Sequence, residues 1–160
     1  MIFPDEKMST KDQKSIQNAD VVQKWVDLLA RWGDNPAADI PHVLNLLDDE
    51  CEWILMATGE HFKGKDAIMK MSEKSAAAIR HTAEHKLQVT NLFACEDKGC
   101  LEYVHRALLR LPGQTELSPI EMPICIVFQF NNGKILRAQE YYEIQQMYGG
   151  NIKPLYSDAE

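Results

Sequence analysis

The apolar residues of this chain change their spacing once, near residue 85, and this change limits the folds open to it. Before residue 85 they recur at three- and four-residue steps, as in helices that bury one face. After it, Leu87, Val89 and Phe93 alternate with more polar neighbours, as in strands. The pattern therefore predicts helices in the first half of the chain and a sheet in the second half.

Three helices are predicted in the first half, each with one apolar face. Their predicted limits are residues 20–32, 39–47 and 64–79, with Asp20 and Asp39 as N-terminal caps and Asp48 at the end of the second helix. Aspartate favours cap positions because its carboxylate accepts hydrogen bonds from the free amides of the first turn. A short strand is predicted at residues 52–56, followed by a turn at 58–60.

Four strands are predicted after residue 85. They start near residues 85, 100, 118 and 134, and the last one reaches about residue 147. Asn131, Asn132 and Gly133 form the clearest turn, because Asn and Gly accept the positive φ of tight hairpins. Strands joined by hairpins are antiparallel, so the second half is predicted to form an antiparallel sheet.

These elements predict one α+β domain at residues 19–148, between a flexible N-terminal tail at 1–18 and a C-terminal tail at 149–160. Three helices packed on a strongly curved antiparallel sheet would form a cone-shaped roll with an apolar central cavity. Ile124 and Phe128 have the opposite strand parity to Cys125 and Val127, yet all four are apolar. A monomer would expose one of these sets, so we expect a homodimer through the outer sheet face.

The net charge of −7 argues against two classes of partner. Binding to nucleic acid or to an anionic membrane needs a basic surface, and the chain has no basic run. The chain starts without the features of a signal peptide, and no apolar stretch reaches the length of a membrane span. A cytoplasmic location is therefore predicted.

The sequence predicts no metal site and no cofactor. It lacks the glycine motifs that hold phosphates or dinucleotides. His81 and His85 have the spacing of ligands on one helix face, but no third ligand follows at a convincing distance. The four cysteines are predicted to be free thiols, with a bond between Cys95 and Cys100 across a hairpin as the alternative.

Three stretches of the sequence resemble the nuclear-transport-factor-2-like superfamily. They are residues 64–68 after the turn at 58–60, residues 127–135 around the Asn132-Gly133 turn, and residues 137–142. Within the superfamily, the pattern is most similar to the SnoaL-like polyketide cyclases and the limonene-epoxide-hydrolase-like group. The resemblance covers roughly residues 20–148 and implies the cone-shaped fold, which hosts enzymes, binding modules and transport factors.

The resemblance also implies roles for individual residues. Glu140 stands where these relatives place an acid/base carboxylate on the last strand. Arg106 matches the arginine of the hydrolase motif Tyr-x-x-Arg-x-Asp, which begins here at Tyr103, and Leu108 stands where that motif has its catalytic acid. Glu140 and Arg106 are therefore the predicted catalytic residues, although an ion pair between them with a purely structural role is the alternative.

The remaining candidates follow from strand parity and from helix faces that cover the sheet. If Glu140 points inward, so does Tyr142, because strand side chains alternate. The predicted lining of a substrate pocket consists of Trp25, Trp53, Leu55, Met71, Leu108, Ile124, Phe128 and Tyr142. His81 and His105 are secondary catalytic candidates, because scytalone-dehydratase-like enzymes of this fold use two histidines. His105 has the opposite parity to Arg106 and is expected to point away from the cavity.

The function predicted from these features is that of a cofactor-independent enzyme. Its substrate would be a small apolar ring compound, such as a polyketide, a terpenoid or a steroid-like molecule. The reaction would be an acid/base isomerisation, cyclisation, dehydration or epoxide opening. The alternative is a non-catalytic module of the same fold that binds a small molecule or serves dimerisation, and Leu108 in place of an acid favours that alternative.

Overall fold

The fold is described from a computed structural model, which covers residues 9–31, 35–79, 85–110 and 115–143. The order of elements agrees with the helix-to-strand change in the sequence. The helices are α1 (Thr10–Ala30), α2 (Pro36–Asn45) and α3 (Gly64–Ile79). The strands are β1 (Leu47–Leu55), β2 (Glu60–Lys63), β3 (His85–Cys95), β4 (Lys98–Arg110), β5 (Leu117–Asn131) and β6 (Lys134–Tyr142).

The six strands form one open sheet in the order β2-β1-β6-β5-β4-β3. Every neighbouring pair is antiparallel except β1 and β6, which are parallel. Three helices pack on this sheet, so the predicted α+β class is confirmed. The parallel pair places β6, the last strand, between β1 and β5 in the middle of the sheet.

The predicted hairpin between β5 and β6 is confirmed. Asn131 pairs with Lys134, so two residues form the loop. Asn132 has a φ of 48° and Gly133 a φ of 74°. Positive φ at both central residues is the geometry whose twist matches that of the flanking strands.

The predicted tail is wrong for residues 10–18, because α1 begins at Thr10. Ser9 caps the helix by accepting a hydrogen bond from the Asp12 amide, and Asp20 lies inside the helix. The first turns lack an apolar face and dock through polar contacts instead. The Ser15 hydroxyl accepts from the Glu96 amide at 2.8 Å, and Asn18 Nδ2 donates to the Glu96 carbonyl at 2.6 Å. Apolar periodicity cannot reveal such contacts.

The predicted limits of α2 are also wrong. The helix begins after Asn35, with Pro36 in its first turn, where the missing amide proton of proline costs nothing. Asp39 lies within the helix, and its Oδ1 accepts from Arg31 Nε at 2.9 Å. Asp48 lies in β1 rather than at a helix end, since the strand begins at Leu47.

Strand β2 was not predicted from the sequence. It has four residues and pairs with β1 from Leu55↔Glu60 to Glu52↔Lys63. Its burial alternates between half-buried and exposed, so it lacks the buried apolar residues that mark a strand. Its pairing with β1 alone makes it an edge strand of the sheet.

One face of the sheet, called here the inner face, carries the buried core together with the helices. Its strand residues include Trp53, Leu55, Leu101, Tyr103, Ile124, Ile126, Phe128 and Ala138. Helix residues Val22, Trp25, Ile68 and Met71 belong to the same cluster. The opposite face, called the outer face, leaves Phe93, Val127 and Tyr141 between 39% and 52% exposed.

The predicted C-terminal tail at 149–160 and the end of the last predicted strand lie outside the described residues. So do residues 1–8. Within the described ranges, no helix combines the length and the apolar character that crossing a membrane requires.

Candidate active site on the inner face of the sheet

Glu140 lies on β6 in the middle of the sheet and directs its side chain to the inner face. It stands in register with Leu55 on β1 and with Ile126 on β5, both of which are buried. Trp53 Nε1 donates a hydrogen bond of 2.8 Å to Glu140 Oε2. In the part of the chain that the structure describes, this is the one side-chain hydrogen bond of the carboxyl. The expected inward orientation of Glu140 is therefore what the structure has.

Burial of the Glu140 carboxyl raises its pKa above the usual value. The apolar neighbours withhold the solvation that a carboxylate needs, which favours the protonated form. The hydrogen bond from Trp53 acts in the opposite direction, because it stabilises the charged form, but desolvation is the larger effect. A carboxyl in this state suits proton transfer near neutral pH.

Aromatic rings form the wall beside this carboxyl. The ring centroids of Trp25 and Trp53 lie 4.6 Å apart with an interplanar angle of 32°. Phe128 meets Trp53 edge-on at 6.3 Å. Contacts with these rings restrict the orientation of the Trp53 indole, and therefore of the nitrogen that donates to Glu140. Trp25 Nε1 is buried and has no hydrogen-bond partner within the described ranges.

Most of the predicted pocket residues lie together in the interior. Trp25, Trp53, Leu55, Met71, Ile124 and Phe128 are all buried in the core cluster. Tyr142 is half-buried and packs against that cluster, two residues beyond Glu140 on the same strand. That these residues line a substrate pocket stays a prediction.

The predicted orientation of Arg106 is wrong. On β4 the buried residues are Leu101, Tyr103 and Ala107, so Arg106 belongs to the opposite face. Its side chain is 42% exposed, and its Nε donates to Glu121 Oε2 at 2.9 Å. Its guanidinium also donates to Gln88 Oε1 at 2.8 Å. The motif identifies Arg106 in the sequence, but it does not determine which face of the sheet the side chain points to. That face is set by the register in which β4 pairs with β5.

Leu108 shares the parity of Arg106 and lies away from Glu140 as well. It lines an open groove of about 300 Å³ at the end of β4 and β5, together with Arg106 and Glu121. Leu108 therefore does not occupy an acid position beside Glu140, contrary to the expectation from the motif.

The predicted parity of His105 is likewise reversed, and the residue points inward. Its Nε2 is buried and has no hydrogen-bond partner among the described residues. His85, on β3, packs edge-on against it with ring centroids 4.7 Å apart. Desolvation, assisted by the nearby His85, lowers the pKa of His105 to about 4. The imidazole is therefore neutral at pH 7. His81 lies outside the described residues.

Two features of this face were missed in the sequence. The sequence predicts Trp53 as pocket lining, but its hydrogen bond to Glu140 follows only from the parallel pairing of β1 with β6. The sequence spacing pairs His85 with His81, whereas His85 starts β3 opposite Ala107 of β4. Correct strand registers would have revealed both.

Metal-ligating side chains do not gather around Glu140 within the described ranges. Among the described residues, the one group close enough to share a metal ion lies on the outer face and consists of Cys100, Glu102 and Cys125.

Comparison with known proteins adds a family and a set of similar folds. The model of the SnoaL-like domain family matches residues 22–138. The match covers α1 from Val22 onward and every strand as far as Ala138, two residues before Glu140. No curated protein matches the sequence significantly.

Three solved structures illustrate the similarity of fold. A ketosteroid isomerase-like protein from Catenulispora acidiphila, in complex with trimethylamine, is 18% identical with a TM-score of 0.62, covering 87% of this chain and 97% of its own. A candidate SnoaL-like polyketide cyclase from Shewanella putrefaciens is 11% identical with a TM-score of 0.64, and the match covers 82% of this chain and 93% of that protein. An LEH-like epoxide hydrolase from M. tuberculosis is 12% identical with a TM-score of 0.61, and the match covers 85% of this chain and 90% of that protein. At these identities the likeness shows the fold alone.

Proposed function

The chain belongs to the SnoaL-like domain family, and we propose that it is a cofactor-independent enzyme in which Glu140 transfers a proton to or from an apolar ring compound. The substrate class would be polyketide, terpenoid or steroid-like. The reaction would be an isomerisation, a cyclisation, a dehydration or an epoxide opening. Its place of action would be the cytoplasm, where the four free thiols of the chain would stay reduced.

The observation that carries this proposal is the buried carboxyl of Glu140, which accepts a hydrogen bond from Trp53. Desolvation raises the pKa of this carboxyl, so it can hold a proton at a pH where an ordinary glutamate is ionised. The protonated form can donate to a substrate oxygen, and the ionised form can accept a proton from carbon or water. Trp53 keeps the carboxyl in one orientation and is a positioning residue.

The apolar surroundings support the choice of substrate. The side chains around Glu140 are aromatic or aliphatic, and a flat ring can stack on such a surface. Polar substrates would lose more solvation than this wall returns. Arg106 has no part in the proposed reaction, because it points to the outer face.

Removal of the proton-carrying group tests this function. The wild type would be incubated with a terpene epoxide, a polyketide-derived ring ketone and a steroid enone, and products would be followed by mass spectrometry. Glu140→Gln should lose about two to four powers of ten in rate on any substrate that the wild type converts. Glu143→Gln is the matched control, because Glu143 is exposed just after β6. Full activity of Glu140→Gln would refute the role of Glu140.

A binding module without catalysis is the second candidate. It is favoured by the causes of the pKa shift of Glu140, which are burial and the hydrogen bond from Trp53, with no charged side chain of the described residues among them. General acid–base catalysis commonly pairs an acid with a base. Tight binding of one of these ring compounds without turnover by the wild type, weakened by substitutions at Trp53, would support this candidate.

We also infer a homodimer through the outer face. Phe93, Cys100, Val127 and Gln139 form one row across β3, β4, β5 and β6. Phe93 and Val127 in this row, and Tyr141 in the next, are apolar or aromatic and well exposed. Such a patch is costly on a monomer. Light scattering should give twice the chain mass of 18.3 kDa, whereas a single-chain mass would contradict the inference.

A further inference from the structure

Two cysteines and a glutamate meet on the outer face, on the far side of the sheet from Glu140. Glu102 on β4 stands directly opposite Cys125 on β5. Cys100 lies two residues before Glu102 on the same face, so it is the diagonal neighbour of Cys125. Their ligand atoms all lie within 4.8 Å of one another. Nothing in the proposed proton transfer uses these side chains.

The distance between the two sulfur atoms is informative. Cys100 Sγ and Cys125 Sγ lie 3.8 Å apart. Two thiolates bound to one tetrahedral Zn²⁺, each about 2.3 Å from the metal, are also separated by about 3.8 Å. A disulfide needs a separation of about 2 Å. The pair therefore already has the spacing of two ligands on a shared ion and would have to move to form a disulfide.

The sheet holds this spacing in place. The pairing of β4 with β5 continues from Lys98↔Gln129 to Arg110↔Leu117 without a register shift. Cys100 and Cys125 are half-buried, so neighbouring side chains restrict their rotamers, whereas Glu102 is exposed and free to turn toward an ion. Rigid sulfur ligands with one adjustable carboxylate form a site that is largely built before the metal arrives.

We propose that Cys100, Cys125 and Glu102 bind a Zn²⁺ ion on the outer face. The ligands would be the two sulfur atoms and one carboxylate oxygen of Glu102, with water in the fourth tetrahedral position. Thiolate ligands select zinc over magnesium and calcium, which prefer sites made of oxygen alone. The sequence does not reveal this site, because Cys100 and Cys125 belong to different strands and have no motif spacing.

Binding must displace two protons, one from each thiol, because the thiolate is the ligand. The bound ion with two thiolates and one carboxylate carries one net negative charge. The other two cysteines lie elsewhere. Cys95 is exposed at the end of β3, opposite Lys98, and Cys51 is buried in β1. Cys95 is therefore a matched control.

Titration with Zn²⁺ alone tests the site on the full chain. Isothermal titration calorimetry in a buffer with a phosphine reductant should give one ion per chain. Cys100→Ser and Cys125→Ser should each weaken binding by about 10-fold to 100-fold or more, since even outer-shell partners of a metal contribute that much. Glu102→Gln should weaken it less, and Cys95→Ser should leave it unchanged. Circular dichroism would confirm that each variant is folded.

Co²⁺ provides a readout that needs no variant. Bound by two thiolates in a tetrahedral site, it should show a sulfur-to-cobalt charge-transfer band and intense visible bands, and Zn²⁺ should remove both. The proposal is overturned if the wild type shows no such bands, if it binds no Zn²⁺, or if Cys95→Ser weakens binding as much as Cys125→Ser does. None of these outcomes bears on the activity of Glu140, which is tested separately by turnover.

Discussion

Trp53 and Glu140, 87 positions apart in the chain, are joined by a 2.8 Å hydrogen bond from the indole nitrogen to the carboxyl oxygen Oε2. The bond exists because β1 and β6 run parallel, with Trp53 opposite Ala138 and Leu55 opposite Glu140. It links the residue proposed to carry the proton to the aromatic wall that surrounds it. Changes to this pair therefore test the site most directly.

Replacing Trp53 with phenylalanine should raise the pKa of Glu140 further. The indole N–H stabilises the carboxylate, so its loss leaves desolvation unopposed and favours the protonated form. Titration of the Glu140 carboxyl by carbon-13 NMR would measure the change. Trp25→Phe is the control, because Trp25 stacks on Trp53 but its nitrogen donates no hydrogen bond within the described ranges. Equal shifts in both variants would mean that ring packing, and not the hydrogen bond, sets the pKa.

Glu140→Gln should make the protein more stable than the wild type at neutral pH. Below the pKa that Glu140 has in the unfolded chain, its carboxyl is protonated in both the folded and the unfolded state, so its ionisation does not lower the stability of the wild type. As the pH rises from about 4.3 toward the raised folded pKa, the unfolded chain loses its proton first, so the wild type loses stability. Urea unfolding of both proteins between pH 4 and pH 8 would measure the difference. A difference that does not grow with pH would contradict the raised pKa.

His105 should make the wild type sensitive to mild acid. Its folded pKa is lowered to about 4 by burial and by His85, whereas the unfolded value is about 6.5. This shift contributes up to about 3 kcal/mol to the free energy of unfolding. The contribution is present above pH 6.5 and is lost as the pH falls toward 4. His105→Leu should reduce this loss in chemical denaturation at pH 7 and pH 4.5. His42→Gln, at an exposed position of α2, should keep it, and an unchanged loss in His105→Leu would disprove the assignment.

Asn18→Ala should lower the free energy of unfolding by about 1 to 3 kcal/mol. Asn18 is buried and donates to the carbonyl of Glu96, a residue held at a φ of 52° in the turn between β3 and β4. The variant leaves that carbonyl without this partner and loosens α1 from the hairpin. Gln23→Ala, at an exposed position of the same helix, should change stability by less than about 0.5 kcal/mol. Guanidinium unfolding would compare them, and equal losses would show that α1 does not depend on this contact.

The parts of the fold that repeat a simple apolar pattern could be predicted from the sequence. The strand start at His85 and the turn at Asn132 and Gly133 were predicted where the structure has them. The first turns of α1 and the whole of β2 were missed, because Ser15 and Asn18 dock through hydrogen bonds and β2 has no buried face. Pattern analysis detects apolar burial and little else.

The candidate site was predictable only in part, for a geometric reason. The family resemblance together with strand alternation placed Glu140 on the inner face, as the structure has it, but the same reasoning gave Arg106 and His105 the reverse of their actual orientations. A shift of one residue in β4 exchanges the two faces. The family motif set the predicted face, although the polarity of the strand favours the opposite one, since Glu102 and Arg106 share one face and Leu101 and Tyr103 the other. The site on the outer face depends even more on register, since Cys100 and Cys125 meet only through the pairing of β4 with β5.

The central position of β6 in the sheet has a consequence for how the chain folds. β6 follows all the other described strands, yet β1 and β2 join the sheet only through it. A chain growing on the ribosome therefore makes β1 long before its parallel partner exists. Closing so long a loop before its contacts form slows the folding reaction. We expect refolding to be slow for a domain of this size, with the hairpins of β3, β4 and β5 formed before β1 is captured, and a chain cut before Lys134 to lose the strand that joins β1 and β2 to the rest.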